Sequence, residues 1–282
     1  MKYYIIIPTY NEEKFISLTL QSLVEQSFIP SKVVVVNDGS TDKTEEIIQS
    51  FTEKYSFISL INATSEAIHL PGSKVIQAFQ KGLETVDDNY DFIVKADADL
   101  IFPPNYFETI SKHFQSEEQI GMVGGFANIE KNGKWVLENL TDKDHIRGAF
   151  KAYRKTCFEQ IGGLKTAMGW DTVDELLCKF YNWKVVTDAT LKVKHLKPTG
   201  ANYNQAARFK QGEAFYSFGY GFWITTIASL KLALLKKKPF LFFDYLQGFW
   251  KAKVAKKPLL VTPKQAKFIR KYRWKKMKSK VF

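Results

Sequence analysis

Asp97 and Asp99 form an Asp-x-Asp pair directly after the apolar run Phe92–Val94, and the apolar residues 100–104 follow them. Two carboxylates at this spacing, at the end of a buried strand, converge on one hard cation, because Mg²⁺ and Mn²⁺ prefer oxygen ligands. A divalent ion at this position bridges the phosphates of a nucleotide diphosphate and neutralises charge on the leaving group. His195, at the end of a later strand candidate, is a candidate third ligand. The apolar flanks argue against a solvated acidic face.

Two polar turns follow the first two strand candidates. The first is Pro8-Thr9-Tyr10-Asn11-Glu12-Glu13, which places backbone N–H groups and a carboxylate at the start of a helix, as suits a ribose or a base. The second, residues 36–42, reads Val-Asn-Asp-Gly-Ser-Thr-Asp, and its Asp38 carboxylate is suited to accept hydrogen bonds from a nucleobase or a sugar. Both turns also have a structural interpretation as helix caps, with Asp42 as the N-cap of the second helix.

A candidate base lies in the segment Gly-Trp-Asp-Thr-Val-Asp-Glu at residues 169–175. A transfer in which a hydroxyl group attacks a carbon atom needs a carboxylate that deprotonates this hydroxyl. Asp171 at the mouth of the predicted helix and Asp174 one turn later both qualify. In the structural interpretation, Asp171 caps the helix and Asp174 and Glu175 favour its dipole.

The elements that must position these residues follow a βαβ rhythm. Short β-branched runs alternate with longer amphipathic stretches, which predicts an α/β fold with a mostly parallel, doubly wound sheet and helices on both faces. Ligands of such sheets bind beyond the carboxyl ends of the strands. Strands are predicted at Tyr4–Pro8, Val33–Val36, Phe57–Ile61, Phe92–Val94, Ile120–Ala127, Arg147–Tyr153, around Val185 and at Leu191–His195, with a possible hairpin at Lys131–Gly133. Helices are predicted at Glu13–Gln26, Asp42–Lys54, Ser73–Glu84, Pro104–Phe114 and 171–182.

Charge is distributed unevenly along the 282 residues. Of 41 Lys and Arg residues, 17 lie in Lys231–Phe282 together with one of the 29 acids, so the net charge of +12 belongs to the C-terminus. This asymmetry predicts an acidic catalytic domain, residues 1–205, joined to a basic helical region, residues 206–282. The two cysteines, Cys157 and Cys178, are outside any CxxC motif and are expected to be buried apolar residues in a reducing compartment. The N-terminal apolar run is too short for a signal peptide.

The C-terminal region is apolar and aromatic as well as basic. Phe215–Leu235 is 21 residues long and charged only at Lys231; its length fits a membrane span, whereas its glycines and hydroxyl residues fit a buried or interfacial helix. The tail 264–280 is predicted to form an interfacial amphipathic helix, or else a solvated basic helix packed by its aromatic residues. We expect residues 215–282 to bind an anionic membrane surface, each nearby Lys or Arg contributing about 1 kcal/mol. The expected location is the cytoplasmic side of the inner (plasma) membrane, peripheral or shallowly embedded.

The order of these motifs, from PTYNEE through VNDGSTD and Asp-x-Asp to G-x-D-T before a helix, resembles the family-2 glycosyltransferases with the GT-A fold, over about residues 3 to 200. The resemblance implies an inverting mechanism, a UDP-, GDP- or dTDP-sugar donor and a divalent metal, Mn or Mg. It implies that Asp99 ligates the metal and that Asp97 lies beside the ribose and diphosphate. The nucleotide-sugar pocket is implied to include Pro8, Thr9, Tyr10, Glu12, Asp38, Gly39 and Lys74.

Two positions depart from the family pattern. The familiar Asn of the third helix is replaced by Gln80, and the usual Glu-Asp pair before the catalytic helix appears as Trp170-Asp171. An alignment without a gap assigns the base to Asp171, which we prefer, and a slide of three residues would assign it to Asp174. The acceptor is expected to be a cell-envelope glycan or a lipid-linked saccharide.

Other functions fit the residues less well. A nucleotidyltransferase needs a Gly-rich basic loop after its first strand, and a dinucleotide-dependent oxidoreductase needs GxGxxG there, whereas this chain has an acidic turn without glycine. The basic tail favours nucleic-acid binding, but acidic strand ends repel a phosphate backbone, so no nucleic-acid partner is expected. An inactive synthase subunit is disfavoured because Asp97, Asp99 and Asp171 are intact.

Overall fold

The computed structural model describes residues 1–63, 72–138, 144–197 and 209–279. The strands are β1 (Tyr3–Thr9), β2 (Lys32–Asn37), β3 (Ile58–Asn62), β4 (Phe92–Ala96), β5 (Leu100–Ile101), β6 (Ile120–Lys131), β7 (Lys134–Leu137), β8 (Phe150–Arg154) and β9 (Lys184–His195). The helices are α1 (Ile16–Val24), α2 (Thr44–Lys54), α3 (Ser73–Leu83), α4 (Tyr106–Ser116), α5 (Lys155–Gln160), α6 (Trp170–Phe180), α7 (Lys210–Ser217), α8 (Phe222–Leu235), α9 (Phe240–Val254) and α10 (Pro263–Lys278).

The strands form one sheet in the order β3-β2-β1-β4-β8-β6-β9-β5, with β7 paired to β6. The first four strands are parallel, β8 runs antiparallel to both of its neighbours, and β9 is parallel to β6. Every residue of β1 is buried, as expected of a parallel strand covered on both faces. The predicted α/β fold is therefore confirmed, with parallel pairing concentrated in one half of a mixed sheet.

Close packing between α3 and the parallel strands depends on Gly82. A Cβ atom at this position would lie 2.6 Å from Cγ2 of Ile6 on β1 and 2.8 Å from Cγ2 of Val36 on β2. The β-branched side chains of Ile6 and Val36, a type that favours strand formation, thus contact the backbone of α3 directly at Gly82. This contact fixes α3 over the two strands whose carboxyl ends carry the polar turns.

Most predicted elements occur within a few residues of their expected bounds. The hairpin is confirmed between β6 and β7, where Asn132 and Gly133 have φ values of 51° and 72°, as a tight hairpin turn requires. The two last predicted strands are in fact one, β9, whose pairing with β6 shifts register between Gly124 and Phe126. This continuous strand carries His195 back to the sheet edge.

The chain divides into two compact units, Met1–Thr166 with Trp170–Ala201, and Ala167–Gly169 with Asn202–Phe282. The boundary predicted between residues 205 and 206 lies within 198–208, outside the described residues. The apolar run from Phe215 is interrupted, because α7 ends at Ser217, Gly219 has a φ of 73°, and α8 begins only at Phe222. Among the described residues, no helix has both the length and the hydropathy that crossing a bilayer requires.

Helix α8 in the second unit has an unusual distribution of polarity. Its buried residues include Thr225, Ser229 and Ala233, which are small or carry a hydroxyl. Large apolar side chains lie on its exposed side: Trp223, Ile227, Leu230, Leu234 and Leu235. Neighbouring α9 buries Asp244 together with Tyr245 and Phe249, and leaves Phe243 71% exposed. Both helices thus direct large apolar side chains outward.

Candidate active site

The pairing of β5 with β9 brings the Asp-x-Asp pair and His195 together. Leu100 is the register partner of His195, and the Leu196 N–H donates to the Asp99 carbonyl at 2.9 Å. One ligand atom from each of Asp97, Asp99 and His195 lies within 4.8 Å of the other two. Asp97 and Asp99 follow β4, and His195 is the last residue of β9. The sheet therefore brings these residues together although they are almost 100 positions apart in the sequence.

His195 is oriented by a second carboxylate. Its Nδ1 lies 3.4 Å from Oε2 of Glu138, and its Nε2 faces Oδ2 of Asp99 at 3.5 Å. Arg147 in turn lies 2.9 Å from the same Glu138 oxygen. A carboxylate behind a metal-binding histidine fixes ring orientation and tautomer. Glu138 carried no signal in the sequence, because it is a single acid in a polar, loop-like segment.

The donor set fits a divalent cation. Two carboxylates and one imidazole nitrogen are ligands that Mn²⁺ and Mg²⁺ accept, and Asp99 and His195 are both buried. Although burial alone would lower the pKa of His195, its bonds to Asp99 and Glu138 raise it to about 9. The pKa of Asp97 is raised by burial and by Asp99, while Lys95 opposes the shift. This concentration of buried negative charge is what a bound cation relieves.

The two polar turns are tied to each other at the carboxyl ends of β1 and β2. The Asp38 N–H donates to the Thr9 carbonyl at 2.8 Å. The Thr41 N–H donates to the Asn11 side chain at 2.8 Å, and the Glu12 N–H donates to the Thr44 hydroxyl at 2.7 Å. The two motifs therefore form one cross-linked surface rather than two separate loops.

The prediction of Asp42 as the N-cap of the second helix is wrong, because the N-cap of α2 is Lys43 and no side chain caps it. Asp42 lies one residue earlier and accepts hydrogen bonds from the N–H of Thr44 at 3.0 Å and from its hydroxyl at 2.5 Å. Asp38 is not used in this way and remains half-buried, next to exposed Gly39, whose φ is 72°.

The remaining candidates for the nucleotide pocket differ in exposure. Pro8 and Thr9 are buried, and Tyr10 is 58% exposed. Glu12 is mostly buried and forms an ion pair with Lys197. Burial raises the pKa of Glu12, as do Asp99 and Asp97, so this carboxylate belongs to the same electrostatic cluster as the candidate metal ligands.

Two further positions of interest, Lys74 and Gln80, lie on α3. Lys74 is half-buried in the first turn of α3. The Gln80 amide donates to the Leu164 carbonyl and its oxygen accepts from Thr166, both at 3.3 Å. Gln80 thus ties α3 to the segment that precedes α6.

Helix α6 places Asp171 and Asp174 in different surroundings. Asp174 is buried and accepts hydrogen bonds from Lys151 Nζ at 3.0 Å and from the Tyr153 hydroxyl at 2.6 Å. Lys151 also lies 3.2 Å from Glu175. The Asp171 side chain, by contrast, is 33% exposed and lies 3.6 Å from Nε2 of His145. The sequence alone could not separate these two acids.

A chain of direct contacts joins α6 to the Asp-x-Asp pair. The Asp97 N–H donates to the Ala149 carbonyl at 2.8 Å, and Lys95 donates to the Asp97 carboxylate. Lys95 and Lys151 are register partners on β4 and β8. The ring of Trp170 lies 5.5 Å from the Lys95 ammonium and 6.0 Å from that of Lys151, within cation–π range. The metal-binding candidates and the first turn of α6 therefore lie at adjoining positions of one sheet edge.

An α/β sheet that continues from parallel into mixed pairing, with a cluster of acids at the carboxyl edge of its parallel strands, defines a GT-A fold. Residues 4–165 match the family described as glycosyl transferase family 2. The chain therefore belongs to glycosyl transferase family 2.

Relatives and solved structures are consistent with this family. The chain is 35% identical over 173 residues to an uncharacterized glycosyltransferase, the MG025 homolog of Mycoplasma pneumoniae, in an alignment covering 57% of this chain and 56% of that protein. The chain spans about half the length of the curated relatives it matches.

Two solved structures share the fold. The mannosyltransferase PcManGT from Pyrobaculum calidifontis, in complex with GDP-Man and Mn²⁺, is 17% identical with a TM-score of 0.59, covering 94% of this chain and 77% of that one. S. aureus TarS 1–349, in complex with UDP-GlcNAc, is 21% identical with a TM-score of 0.57, covering 78% of this chain and 64% of that one.

Proposed function

We propose that this protein transfers a sugar from a nucleotide-diphosphate sugar to an acceptor hydroxyl, with inversion at the anomeric carbon. The observation that carries the proposal is the gathering of Asp97, Asp99 and His195 within 4.8 Å, at the sheet edge that also holds Asp171. Membership of glycosyl transferase family 2 supports it, as do solved neighbours crystallised with GDP-Man or UDP-GlcNAc.

In this proposal the cross-linked turns after β1 and β2 hold the donor. Asp38 contacts the nucleobase, exposed Tyr10 contributes a ring face, and Lys74 supplies positive charge to the pocket. Pro8, Thr9 and Gly39 shape the turn through their backbone, and Glu12 lies beside the metal ligands. The support is positional, since ligands of α/β sheets bind at these strand ends.

Asp99 and His195 would hold the divalent cation, Mn²⁺ or Mg²⁺, and Asp97, whose ligand atom is within 4.8 Å of theirs, would face the ribose and diphosphate. When bound, the cation stabilises the negative charge of the nucleotide diphosphate that leaves. The chain's own contribution is orientation: Glu138 fixes the ring of His195, and Lys95 holds the Asp97 carboxylate.

Asp171 is the proposed base. The acceptor oxygen forms its bond to the anomeric carbon while the bond from that carbon to the diphosphate oxygen breaks, and the hydroxyl proton passes to the Asp171 carboxylate. Asp171 is partly exposed, as a base that meets an acceptor must be. Burial would raise its pKa, but the neighbouring His145 and the Lys151 charge lower it. Asp171 is therefore ionised at neutral pH. Asp174 is assigned a structural role, because Lys151 and Tyr153 already occupy its oxygens.

The acceptor is proposed to be a lipid-linked saccharide or another cell-envelope glycan, reached from the cytoplasmic surface of the inner membrane. The support is α8, which exposes large apolar side chains and buries Thr225 and Ser229. Water disfavours this arrangement, whereas acyl chains accept it. Lys236–Lys238, all exposed, are placed to meet anionic headgroups. A nucleic acid would engage these lysines but not the exposed apolar side chains. We therefore favour an anionic membrane surface as the partner of residues 215–282, bound peripherally.

The donor and metal assignments are tested by thermal-shift measurements with UDP, GDP and dTDP, each with and without Mn²⁺. We expect one nucleotide to raise the melting temperature only when Mn²⁺ is present, and Asp99→Asn to abolish this increase while the ligand-free melting temperature is retained. Turnover with the matching nucleotide sugar is expected to fall by about 10²-fold or more in Asp99→Asn, because charge on the leaving group loses its stabilisation.

The matched control is Asp88→Asn, which removes a carboxylate whose side chain is 92% exposed; it should behave as the wild type. Nucleotide binding that is indifferent to Mn²⁺, or wild-type turnover by Asp99→Asn, would contradict the metal assignment.

A further inference from the structure

His145 lies between two acidic side chains of α6. Its Nε2 is 3.6 Å from Oδ2 of Asp171, and its Nδ1 is 3.1 Å from Oε1 of Glu175. The side chain is 17% exposed, so it lies at the wall of the candidate site rather than in the core. Asp171 and Glu175 are one helical turn apart, which lets one ring contact both.

Glu175 is itself held firmly. Its Oε1 accepts a hydrogen bond from the Ile146 N–H at 2.8 Å and lies 3.2 Å from Lys151 Nζ. Only 7% of its side chain is exposed. Since Nδ1 of His145 points to this anchored oxygen, the ring orientation is set, and Nε2 is directed at Asp171.

We infer that His145 is a positioning residue for Asp171: its ring, fixed by Glu175, holds the Asp171 carboxylate in one orientation and keeps it in the ionised form. This inference rests on the proposed function, in which Asp171 accepts the acceptor's proton. His145 itself exchanges no proton with the substrates. In serine proteases a buried carboxylate orients a catalytic histidine; here a histidine orients the carboxylate of the proposed base.

The charges around the pair agree with this geometry. Burial alone would lower the pKa of His145, but the adjacent carboxylates of Asp171 and Glu175 raise it to about 9, against some opposition from Lys151. Burial would raise the pKa of Asp171, as does Glu175, but His145 and Lys151 lower it. Below about pH 9 the imidazolium is present, so Asp171 stays ionised well into the acidic range. Without His145, Lys151 is the main group that opposes the effect of burial and Glu175 on the pKa of Asp171.

The test compares kcat, donor KM and pH dependence for His145→Ala and His145→Gln, at saturating Mn²⁺. We expect His145→Ala to lower kcat on the order of 10²-fold, because misplacement of a reacting group by about 1 Å has this effect, with donor KM unchanged. The acidic limb of kcat should move upward by about one pH unit or more when the neighbouring cation is lost. Added imidazole should restore part of kcat, and His145→Gln, which keeps a hydrogen-bond donor, should lose less.

The matched control is His113→Ala, which breaks another histidine–carboxylate pair, with Asp188 at 2.8 Å; its kcat and pH profile should remain those of the wild type. A loss of kcat in His145→Ala without a change in pH profile and without imidazole rescue would show a purely structural role and overturn the inference. Wild-type kcat in His145→Ala would overturn it as well.

A second measurement does not depend on turnover. NMR titration of the His145 ring, assigned with His145→Gln, should give a pKa near 9 that falls in Asp171→Asn; an unchanged value would overturn the pairing. If the wild type transfers no sugar from any donor while this titration behaves as expected, the proposed function fails and the His145–Asp171 pairing stands.

Discussion

Lys151 determines how the acids of α6 can be used. Its side chain on β8 is completely buried, and its ammonium nitrogen lies 3.0 Å from Oδ1 of Asp174 and 3.2 Å from Oε1 of Glu175. A buried ammonium needs such partners, because removal of charge from water is costly. Asp174 is consequently committed to the fold, whereas Asp171 remains partly exposed. In the sequence an ungapped alignment favours Asp171 and a slide of three residues favours Asp174, and the burial of the two side chains now distinguishes them.

Asp171→Asn should therefore abolish transfer while Mn²⁺-dependent nucleotide binding and stability are kept. Asp174→Asn should lower the free energy of unfolding by about 1–3 kcal/mol, because a buried charged hydrogen bond is weakened, and retain most turnover per folded molecule. Turnover and urea unfolding of the two variants check this. If Asp174→Asn stops transfer at full stability and Asp171→Asn does not, the base is three residues further along the chain.

Sequence patterns did not predict Glu138 and His145, which contact the side chains of other candidate site residues. Glu138 and His145 are single polar residues in a loop-like segment, and their partners His195 and Glu175 lie 57 and 30 positions away. No local spacing links such pairs. Asp97, Asp99 and Asp171 were identified because each directly follows a strand or begins a helix, where chemistry-bearing residues of α/β proteins concentrate.

Helix α6 packs against the segment before β8 at a glycine. A Cβ atom on Gly148 would lie 2.8 Å from Cζ2 of Trp170 and 3.1 Å from Cβ of Asp171. The first turn of α6 therefore rests on bare backbone, and the positions of Trp170 and Asp171 depend on the absence of a side chain at residue 148.

Gly148→Ala should displace this turn. We expect a loss of about 1–3 kcal/mol in stability from overpacking and a fall in kcat larger than the loss of folded protein explains. Gly221→Ala is the control, since its nearest neighbour, Cδ of Arg270, would be 3.4 Å away. The check is kcat together with thermal unfolding of both variants. An unchanged kcat in Gly148→Ala would show that this contact does not set the position of Asp171.

Periodicity in the sequence predicted the elements but not their pairing. Strands β1 to β4 and helices α1 to α4 were recognised because hydrophobic runs and amphipathic stretches alternate regularly. The insertion of β8 between β4 and β6, and the register of Leu100 with His195, depend on long-range pairing that no local pattern encodes. For this reason His195 remained an isolated candidate until the sheet was known.

At the scale of the molecule, charge and exposed apolar surface lie in the same C-terminal region. The sequence showed the charge, with 17 basic residues against one acid after residue 230. It left the apolar run Phe215–Leu235 open between a span and a buried or interfacial helix, because composition alone does not say which side of a helix is exposed. Leu235 on α8 and Phe243 on α9 are among the most exposed large apolar side chains of this region, at 63% and 71%.

The protein should sediment with vesicles that contain anionic lipid. Leu235→Glu combined with Phe243→Glu should abolish binding, since two charges are placed in the apolar surface, whereas Leu18→Glu, at a 46% exposed site on α1, should not. Raising salt from about 0.1 M to about 0.5 M should weaken binding without abolishing it, because only the charge contribution is screened. Equal vesicle binding by the double variant, or stronger retention on DNA at physiological salt, would contradict the membrane proposal.

The outward-facing leucines and tryptophan of α8 have a kinetic consequence under the proposed membrane binding. A protein adsorbed through this helix would meet the proposed lipid-linked acceptor by lateral diffusion in two dimensions. Its velocity then follows the number of acceptors per unit area of vesicle, and dilution of the suspension at constant lipid composition leaves the velocity of each adsorbed molecule unchanged.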